Sequence, residues 1–238
     1  LHERSMMPAN DTETRKAMTG MSTNLKVTLA LLAVAVAVFA GVMVANRSDG
    51  PAVSGNPAVQ AQALVRPDSH RLSTAADGKV TVVEFLDFEC ESCLAAYPDV
   101  ERLRKEYRDR ITYVVRYFPI ASHPNALNAA HAAEAAAAQG KFEAMYVKLF
   151  DNQAVWGHKQ QSQVEVFVGY ARELGLDVNR FRADVASPAV DARVRADASD
   201  GAVVGVQGTP TFFINGGQFD SDPTYEPLKA AIDAALAK

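Results

Sequence analysis

The stretch VTVVEFLDFECESC, residues 80–93, decides the fold of this chain. Its first seven residues are β-branched, aromatic or aliphatic apart from Glu84, and this pattern is typical of a strand covered on both faces. Apolar residues then recur at spacings of three and four, which predicts a helix that begins at the cysteines. Cys90 is therefore expected at a helix N-terminus, where free backbone N–H groups and the helix dipole favour a thiolate.

Composition narrows the possible functions. The 238 residues carry a formal net charge of −4 and no basic cluster, which argues against a nucleic-acid partner. The two cysteines lie three positions apart and cannot supply the four ligands of a structural zinc, and the histidines show no spacing that completes such a site. A redox-active cysteine pair is the leading interpretation, and it needs neither a metal nor an organic cofactor.

The chain before this strand divides into three segments. Residues 1–24 are polar and predict a disordered arm. Residues 25–45 contain an uncharged run over 27–45, long enough as a helix to cross a hydrocarbon core of about 30 Å, which predicts a transmembrane anchor. A cleaved signal peptide is the main alternative and a buried soluble helix the third. Residues 46–71, rich in Ser, Gly, Pro, Ala and Gln, predict a flexible linker.

The rest of the chain predicts an α/β fold. ITYVVRYF, residues 111–118, is a second buried strand, and strand, helix and strand form a right-handed βαβ unit. Residues 122–201 carry only helical patterns and predict an inserted helical domain. A TFFI segment before Asn-Gly predicts a hairpin, and an amphipathic helix closes the chain. The sheet domain is therefore expected to comprise residues 72–121 and 202–238.

Two further residues bear on the cysteine pair. Glu84 interrupts the apolar strand six residues before Cys90, where a carboxylate is unfavourable to bury without a partner or a raised pKa. We interpret it as a proton acceptor beneath the buried thiol; the alternative is a strand-edge residue that reaches water. Pro210 opens the later hairpin strand, a position where a proline is ordinarily an edge device.

These motifs resemble those of the DsbA-like thiol:disulfide oxidoreductases, most closely the membrane-anchored extracytoplasmic members. The matching segments, in the family's order, are EF at 84–85, DFECESC at 87–93, FP and HPNA within 118–126, and GTPTFF at 208–213. The resemblance covers about residues 72–238. It implies a thioredoxin-like fold, βαβ…ββα, with an inserted helical domain.

The resemblance also implies roles for individual residues. Cys90 is the exposed nucleophile, Cys93 its buried partner, Glu84 the buried acid and Pro210 a cis-proline. The backbone of Thr209, beside that proline, is expected to pair with an extended substrate chain by strand addition.

The sequence departs from the family pattern between the two cysteines. Strongly oxidising members often carry Pro-His there, whereas this chain has Glu91 and Ser92, which we expect to face the substrate. A carboxylate at Glu91, with Glu89 nearby, is expected to oppose a thiolate on Cys90. Since a stabilised thiolate makes a disulfide oxidising, the sequence predicts a milder oxidant than the fold suggests.

The predicted function is an extracytoplasmic oxidase that inserts disulfides into exported proteins and is regenerated by a membrane-bound redox partner. A reductase, for example in cytochrome c maturation, is the alternative within the same chemistry. A copper chaperone is a third candidate, although such carriers usually have Cys-x₃-Cys and a distant histidine, and a catalytically silent interaction module is a fourth. His123 is interpreted as a helix-start residue and His131 as a packing residue.

Overall fold

The computed structural model describes residues 57–238. The predicted disordered arm, the predicted membrane anchor and the first part of the predicted linker therefore lie outside the described residues. Between Pro57 and Lys238, none of the helices combines the length and the apolar character needed to cross a membrane.

Five strands and nine α-helices make up the described part of the chain. The strands are β1 (His70–Ser73), β2 (Thr81–Leu86), β3 (Thr112–Tyr117), β4 (Thr211–Ile214) and β5 (Gly217–Gln218). The helices are α1 (Pro57–Leu64), α2 (Glu91–Tyr107), α3 (Ala126–Ala137), α4 (Phe142–Asp151), α5 (Gln153–Trp156), α6 (Val164–Glu173), α7 (Val178–Val185), α8 (Pro188–Val203) and α9 (Tyr225–Leu236). A short 3₁₀ helix, Arg108–Arg110, follows α2.

The strands form one mixed sheet in the order β1-β3-β2-β4-β5. The central strands β2 and β3 run parallel, with Val83 opposite Val114, and α2 connects them. β1 and β4 join this pair on either side, each antiparallel to its neighbour. The predicted βαβ unit is confirmed, and both central strands are almost wholly buried, as their continuous apolar sequences indicate.

The predicted hairpin is also confirmed. β4 and β5 pair antiparallel, with Ile214 opposite Gly217. Asn215 and Gly216, between them, both have positive φ, 49° and 87°. Asparagine and glycine are the residues that adopt this conformation most readily, so the turn follows directly from the local sequence.

The two faces of the sheet are covered by different helices. On one face, the side chains of α2, α9 and the helical block share a single core with β2 and β3. The opposite face packs Val83, Phe85 and Val114 against α1 and the chain that ends α8 and precedes β4. The boundary that we predicted between residues 201 and 202 falls inside α8. Gly201 approaches the sheet so closely that a Cβ there would lie 2.7 Å from Phe118 Cδ2.

The predicted linker is wrong over its last part. Residues 57–64 form α1, and β1 begins at His70. Ala63 and Leu64 are buried against the sheet, and Arg116 Nη1 donates to their carbonyl oxygens at 2.7 and 2.8 Å. The sequence of this segment shows no helical periodicity. Its structure depends on contacts with residues far along the chain, which the local sequence does not reveal.

Candidate functional site

The two cysteines lie where β2 turns into α2. Cys90 is the N-cap of α2, and Cys93 lies in its first turn. The backbone N–H of Cys90 donates to Asp87 O at 3.2 Å, which shapes the turn. Both thiols are free and both residues are buried, Cys93 more completely than Cys90. The predicted position of the cysteine pair at a helix start is therefore confirmed.

The two thiols have opposite acidities. Hydrogen bonding with Cys93 lowers the pKa of Cys90 to about 5. Burial raises this pKa, but hydrogen bonds with the side chain of Thr209 and with the backbone N–H groups of Cys93 and Ser92 lower it further. Burial raises the pKa of Cys93 well above its ordinary value. At neutral pH the pair therefore holds one thiolate, on the more accessible sulfur.

The loop before β4 lies against Cys90. The peptide bond between Thr209 and Pro210 is cis. Cys90 Sγ lies 3.3 Å from the backbone oxygen of Thr209, to which the thiol donates in its protonated form. Cys90 is more than a hundred residues from Thr209 and Pro210 in sequence, and the fold brings them together.

Glu84 lies beneath the cysteines in the interior of the protein. Its residue is 2% exposed, so the alternative of a strand-edge side chain that reaches water is wrong. Tyr113 Oη donates to Glu84 Oε2 at 2.6 Å. Burial raises the pKa of Glu84 to about 7, and its negative charge helps to raise the pKa of Cys93. A carboxyl group that titrates near neutrality is therefore in electrostatic contact with the buried thiol.

Two buried carboxylates brace the segment before Cys90. Asp87 accepts hydrogen bonds from the backbone N–H groups of Glu89 at 2.7 Å and Ile120 at 2.9 Å. Glu89 accepts from the backbone N–H groups of Asn125 at 2.5 Å and His158 at 2.6 Å. We predicted Glu89 only as a charge that opposes the thiolate, whereas it serves as an acceptor for two loops.

Gln153 is a further supporting residue that the sequence does not reveal. It is buried in α5, and its Nε2 donates to Phe88 O at 2.8 Å and to Cys90 O at 3.1 Å. A glutamine in a helical block carries no local signal for such a role. Only the packing of α5 against the cysteine loop reveals it.

The residues between the cysteines are exposed. The side chain of Glu91 is 71% exposed, and its Oε1 lies 3.0 Å from His158 Nε2. Ser92 is also exposed, next to the Cys90 sulfur that its N–H group helps to acidify. Glu91 therefore has a partner that counters its charge when His158 is protonated, which the sequence did not predict.

His123 does not act as a helix-start residue alone. Its Nδ1 lies 2.6 Å from Asp87 Oδ2, and its ring centroid is 5.8 Å from that of His158. The negative charge of Cys90 helps to raise the pKa of His123 above its ordinary value. His123 O also accepts from the backbone N–H of Ala126, the first residue of α3, so its predicted place at a helix start is confirmed, and the contact with Asp87 is what the sequence did not reveal. His131 contacts Asp191 of α8, with Nε2 and Oδ1 3.2 Å apart.

Across residues 57–238, no three His, Cys, Asp or Glu side chains are grouped in a way that could hold a metal ion. The carboxylates of Asp87 and Glu89, next to the cysteines, accept hydrogen bonds from backbone N–H groups, and Asp87 also binds the ring of His123.

The chain is similar to known proteins over most of the described range. The family model described as thioredoxin matches residues 72–234. A thioredoxin-like oxidoreductase from Silicibacter pomeroyi DSS-3 is 29% identical, with a TM-score of 0.62, over 74% of this chain and 98% of that one. The alpha-DsbA1 protein of Wolbachia pipientis (16% identity, TM-score 0.67, 75% and 96% of the two chains) shares the fold. BdbD of Bacillus subtilis also shares the fold. It is 21% identical, with a TM-score of 0.62, over 70% of this chain and 92% of that one. The resemblance to DsbA-like proteins is confirmed by these matches.

Curated relatives carry a different name. A Na⁺/H⁺ antiporter NhaA from Herminiimonas arsenicoxydans is 37% identical over 171 residues, which is 72% of this chain and 26% of that protein. The NhaA 3 antiporter of Salinispora tropica is also 37% identical, over 174 residues, which is 73% of this chain and 26% of that protein. The chain thus spans about a quarter of the length of these relatives.

Proposed function

Because the chain belongs to the thioredoxin family, we propose that it is a thiol:disulfide oxidoreductase that oxidises cysteine pairs of exported proteins. The observation that carries this proposal is the contrast between the two thiols. Cys90 is acidic, with a pKa lowered to about 5, whereas burial raises that of Cys93. A thiolate on the more accessible sulfur beside a more deeply buried, protonated thiol is the arrangement that thiol–disulfide exchange requires.

The acidity of Cys90 supports oxidation over reduction as the direction of the reaction. A stabilised thiolate stabilises the dithiol form of the enzyme, and a stable dithiol makes the disulfide a stronger oxidant. The sequence had predicted that Glu91 weakens this effect. Its exposed carboxylate next to His158 favours a small effect instead.

The proposed reaction has two exchange steps. A substrate thiolate attacks the Cys90 sulfur of the disulfide, the bond to Cys93 breaks, and Cys93 leaves as a thiolate. Cys93 then takes up a proton, which Glu84 can supply in its protonated form because its pKa is about 7. The second substrate thiol loses its proton and attacks the substrate sulfur of the mixed disulfide, which releases Cys90 as a thiolate. Two electrons pass from the substrate to the enzyme.

The substrate is proposed to lie along the cis-proline loop. The backbone of Thr209, beside Pro210, is proposed to pair with an extended chain, and the exposed Glu91 and Ser92 are proposed to face the substrate as well. The extracytoplasmic setting and the regenerating membrane-bound oxidant are part of the proposal. They rest on the uncharged segment 27–45 and on the need to reoxidise the dithiol.

The test is oxidative refolding of a reduced, disulfide-containing protein by the full chain. We expect Cys90→Ser to abolish catalysis. We expect Cys93→Ser to accumulate mixed disulfides through Cys90, because Cys93 can no longer attack the Cys90 sulfur and displace the bound substrate. The double variant, Cys90→Ser with Cys93→Ser, is the control and should neither catalyse refolding nor form mixed disulfides. Refolding at the wild-type rate by Cys90→Ser would overturn the mechanism. Catalysed reduction of a protein disulfide without catalysed oxidation would favour the reductase alternative.

A further inference from the structure

Two imidazoles from outside the Cys-x-x-Cys segment lie at the N-terminus of α2. His123 comes from the loop between β3 and α3, and His158 from the loop between α5 and α6. Their ring centroids are 5.8 Å apart, at nearly perpendicular planes. His123 Nδ1 lies 2.6 Å from Asp87 Oδ2, and His158 Nε2 lies 3.0 Å from Glu91 Oε1.

Hydrogen bonds fix both loops to the segment that precedes Cys90. Asp87, whose side chain is fully buried, binds the His123 ring and the backbone N–H of Ile120. Glu89 binds the backbone N–H of His158 itself. The two histidines are therefore held in place relative to the cysteine turn by carboxylates one and three residues before Cys90, rather than lying on free loops.

The surroundings of His123 favour its cationic form. With a carboxylate as the acceptor, Nδ1 donates its proton to Asp87, and Nε2 is the atom that gains the second proton. Burial lowers the pKa of His123, but the hydrogen bond to Asp87 and the negative charges of Asp87, Cys90 and Glu89 outweigh burial and raise it above the ordinary value. The interaction with Cys90 is mutual, since a cation that is stabilised by a thiolate stabilises that thiolate equally.

This geometry rests on, and deepens, the proposed oxidase function. We propose that His123, held by Asp87, is a positioning residue that supplies the positive charge beside the Cys90 thiolate, in place of a histidine between the two cysteines. The charge acts on the dithiol form alone, because the disulfide carries no thiolate. It therefore stabilises the reduced enzyme and makes the disulfide more oxidising.

The proposal has a consequence for pH. Reduction creates the Cys90 thiolate, so His123 binds its proton more tightly in the dithiol than in the disulfide form. Between these two pKa values, reduction is accompanied by proton uptake at His123, and above them the extra stabilisation of the dithiol is lost. The other charged groups that face His123 and Cys90 are Asp87, Glu89 and Glu91, whose Oε1 lies 3.0 Å from His158 Nε2. The disulfide should become less oxidising as the pH rises through this window.

The experiment compares the full chain with His123→Gln. Glutamine retains an N–H donor for Asp87 but carries no charge. The Cys90 pKa is read from the pH dependence of alkylation by iodoacetamide, and the redox poise from the equilibrium with glutathione at several pH values. We expect the variant to raise the Cys90 pKa by roughly half a unit to one unit and to shift the glutathione equilibrium by about three- to tenfold towards the disulfide. The shift should shrink at higher pH.

Two further variants separate charge from structure. His131→Gln, a histidine on α3 that contacts Asp191, is the matched control and should change neither quantity. His123→Lys should restore much of the wild-type Cys90 pKa, since it restores a cation. A Cys90 pKa unchanged in His123→Gln, or equally changed in His123→Lys, would overturn the proposal. Neither readout uses a protein substrate, so a chain with these shifts but without refolding activity would contradict the proposed function alone.

Discussion

Two buried charged groups on opposite faces of the central strands have opposite environments. Glu84 on β2 faces the core shared with α2, where Tyr113 donates a hydrogen bond to it and burial raises its pKa to about 7. Arg116 on β3 pairs in register with Phe85, the next residue of β2, and so faces the other side. It contacts two aspartates of α8, with Nε 2.8 Å from Asp197 and Nη2 2.6 Å from Asp200.

The difference separates a structural charge from a functional one. Arg116 is fully buried, yet carboxylates and the carbonyl oxygens of α1 occupy its donors, so it joins α1, α8 and the sheet. Glu84 is buried beside a neutral phenol, and a carboxyl group without a cationic partner responds to burial by holding its proton. A fully paired buried charge maintains the fold, whereas a buried charge that lacks an opposite partner is available for proton exchange.

The largest effect on stability is expected from replacing Arg116. Arg116→Met should lower the free energy of unfolding by about 3–5 kcal/mol, because it removes a buried cation that pairs with two carboxylates and donates to the carbonyl oxygens of α1. Urea unfolding of the full chain measures this loss. Arg195→Met, on an exposed i,i+4 pair with Asp191, is the control and should cost about 0.5 kcal/mol or less. A loss of about 1 kcal/mol or less in Arg116→Met would contradict the structural role.

Glu84 is expected to have a smaller effect on stability, and one that depends on pH. The pKa of Glu84 rises from 4.5 to about 7 on folding, so the unfolded chain releases this proton at lower pH than the native protein does. Stability should therefore fall as the pH rises from about 4.5 to about 7, by roughly 3 kcal/mol in total, and then stay constant.

Glu84→Gln should remove this part of the pH dependence. The variant should match the wild type near pH 4.5 and be more stable, by up to roughly 3 kcal/mol, above about pH 8 in urea unfolding. The exposed Glu226→Gln is the matched control. Equal pH dependence in Glu84→Gln and the wild type would show that Glu84 does not hold its proton in the native protein. The variant should also slow the step in which Cys93 takes up a proton.

The smallest effect is expected for an exposed carboxylate. The sequence predicts that Glu91→Gln lowers the Cys90 pKa by roughly half a unit, from the repulsion of two nearby anions. With its side chain 71% exposed and 3.0 Å from His158, we expect less than that. Titration of the thiolate in both proteins measures the change. A decrease larger than half a unit would show that Glu91 sets the redox poise despite its exposure.

The prediction from sequence succeeded where the signal is local. The apolar run of β2, the TFFI strand with its Asn-Gly turn and the amphipathic α9 each carry their own periodicity or turn chemistry. It failed at α1, whose burial depends on Arg116, and at the boundary within α8, which covers the sheet through its last turns. Those contacts join residues more than fifty positions apart, and no periodic pattern reveals them.

The sequence by itself determined that a Cys-x-x-C pair follows a buried strand at a helix start, that a carboxyl group interrupts that strand, and that a proline opens the later hairpin. These are properties of neighbouring residues, which propensity and periodicity govern. Only the tertiary structure decided which charges reach the thiolate. Asp87 and Glu89, in the segment before Cys90, bind the ring of His123 and the backbone N–H of His158, although each loop is at least 33 residues away in sequence. Electrostatic interactions depend on distance through space, so the acidity of a thiol is set by folding rather than by its motif.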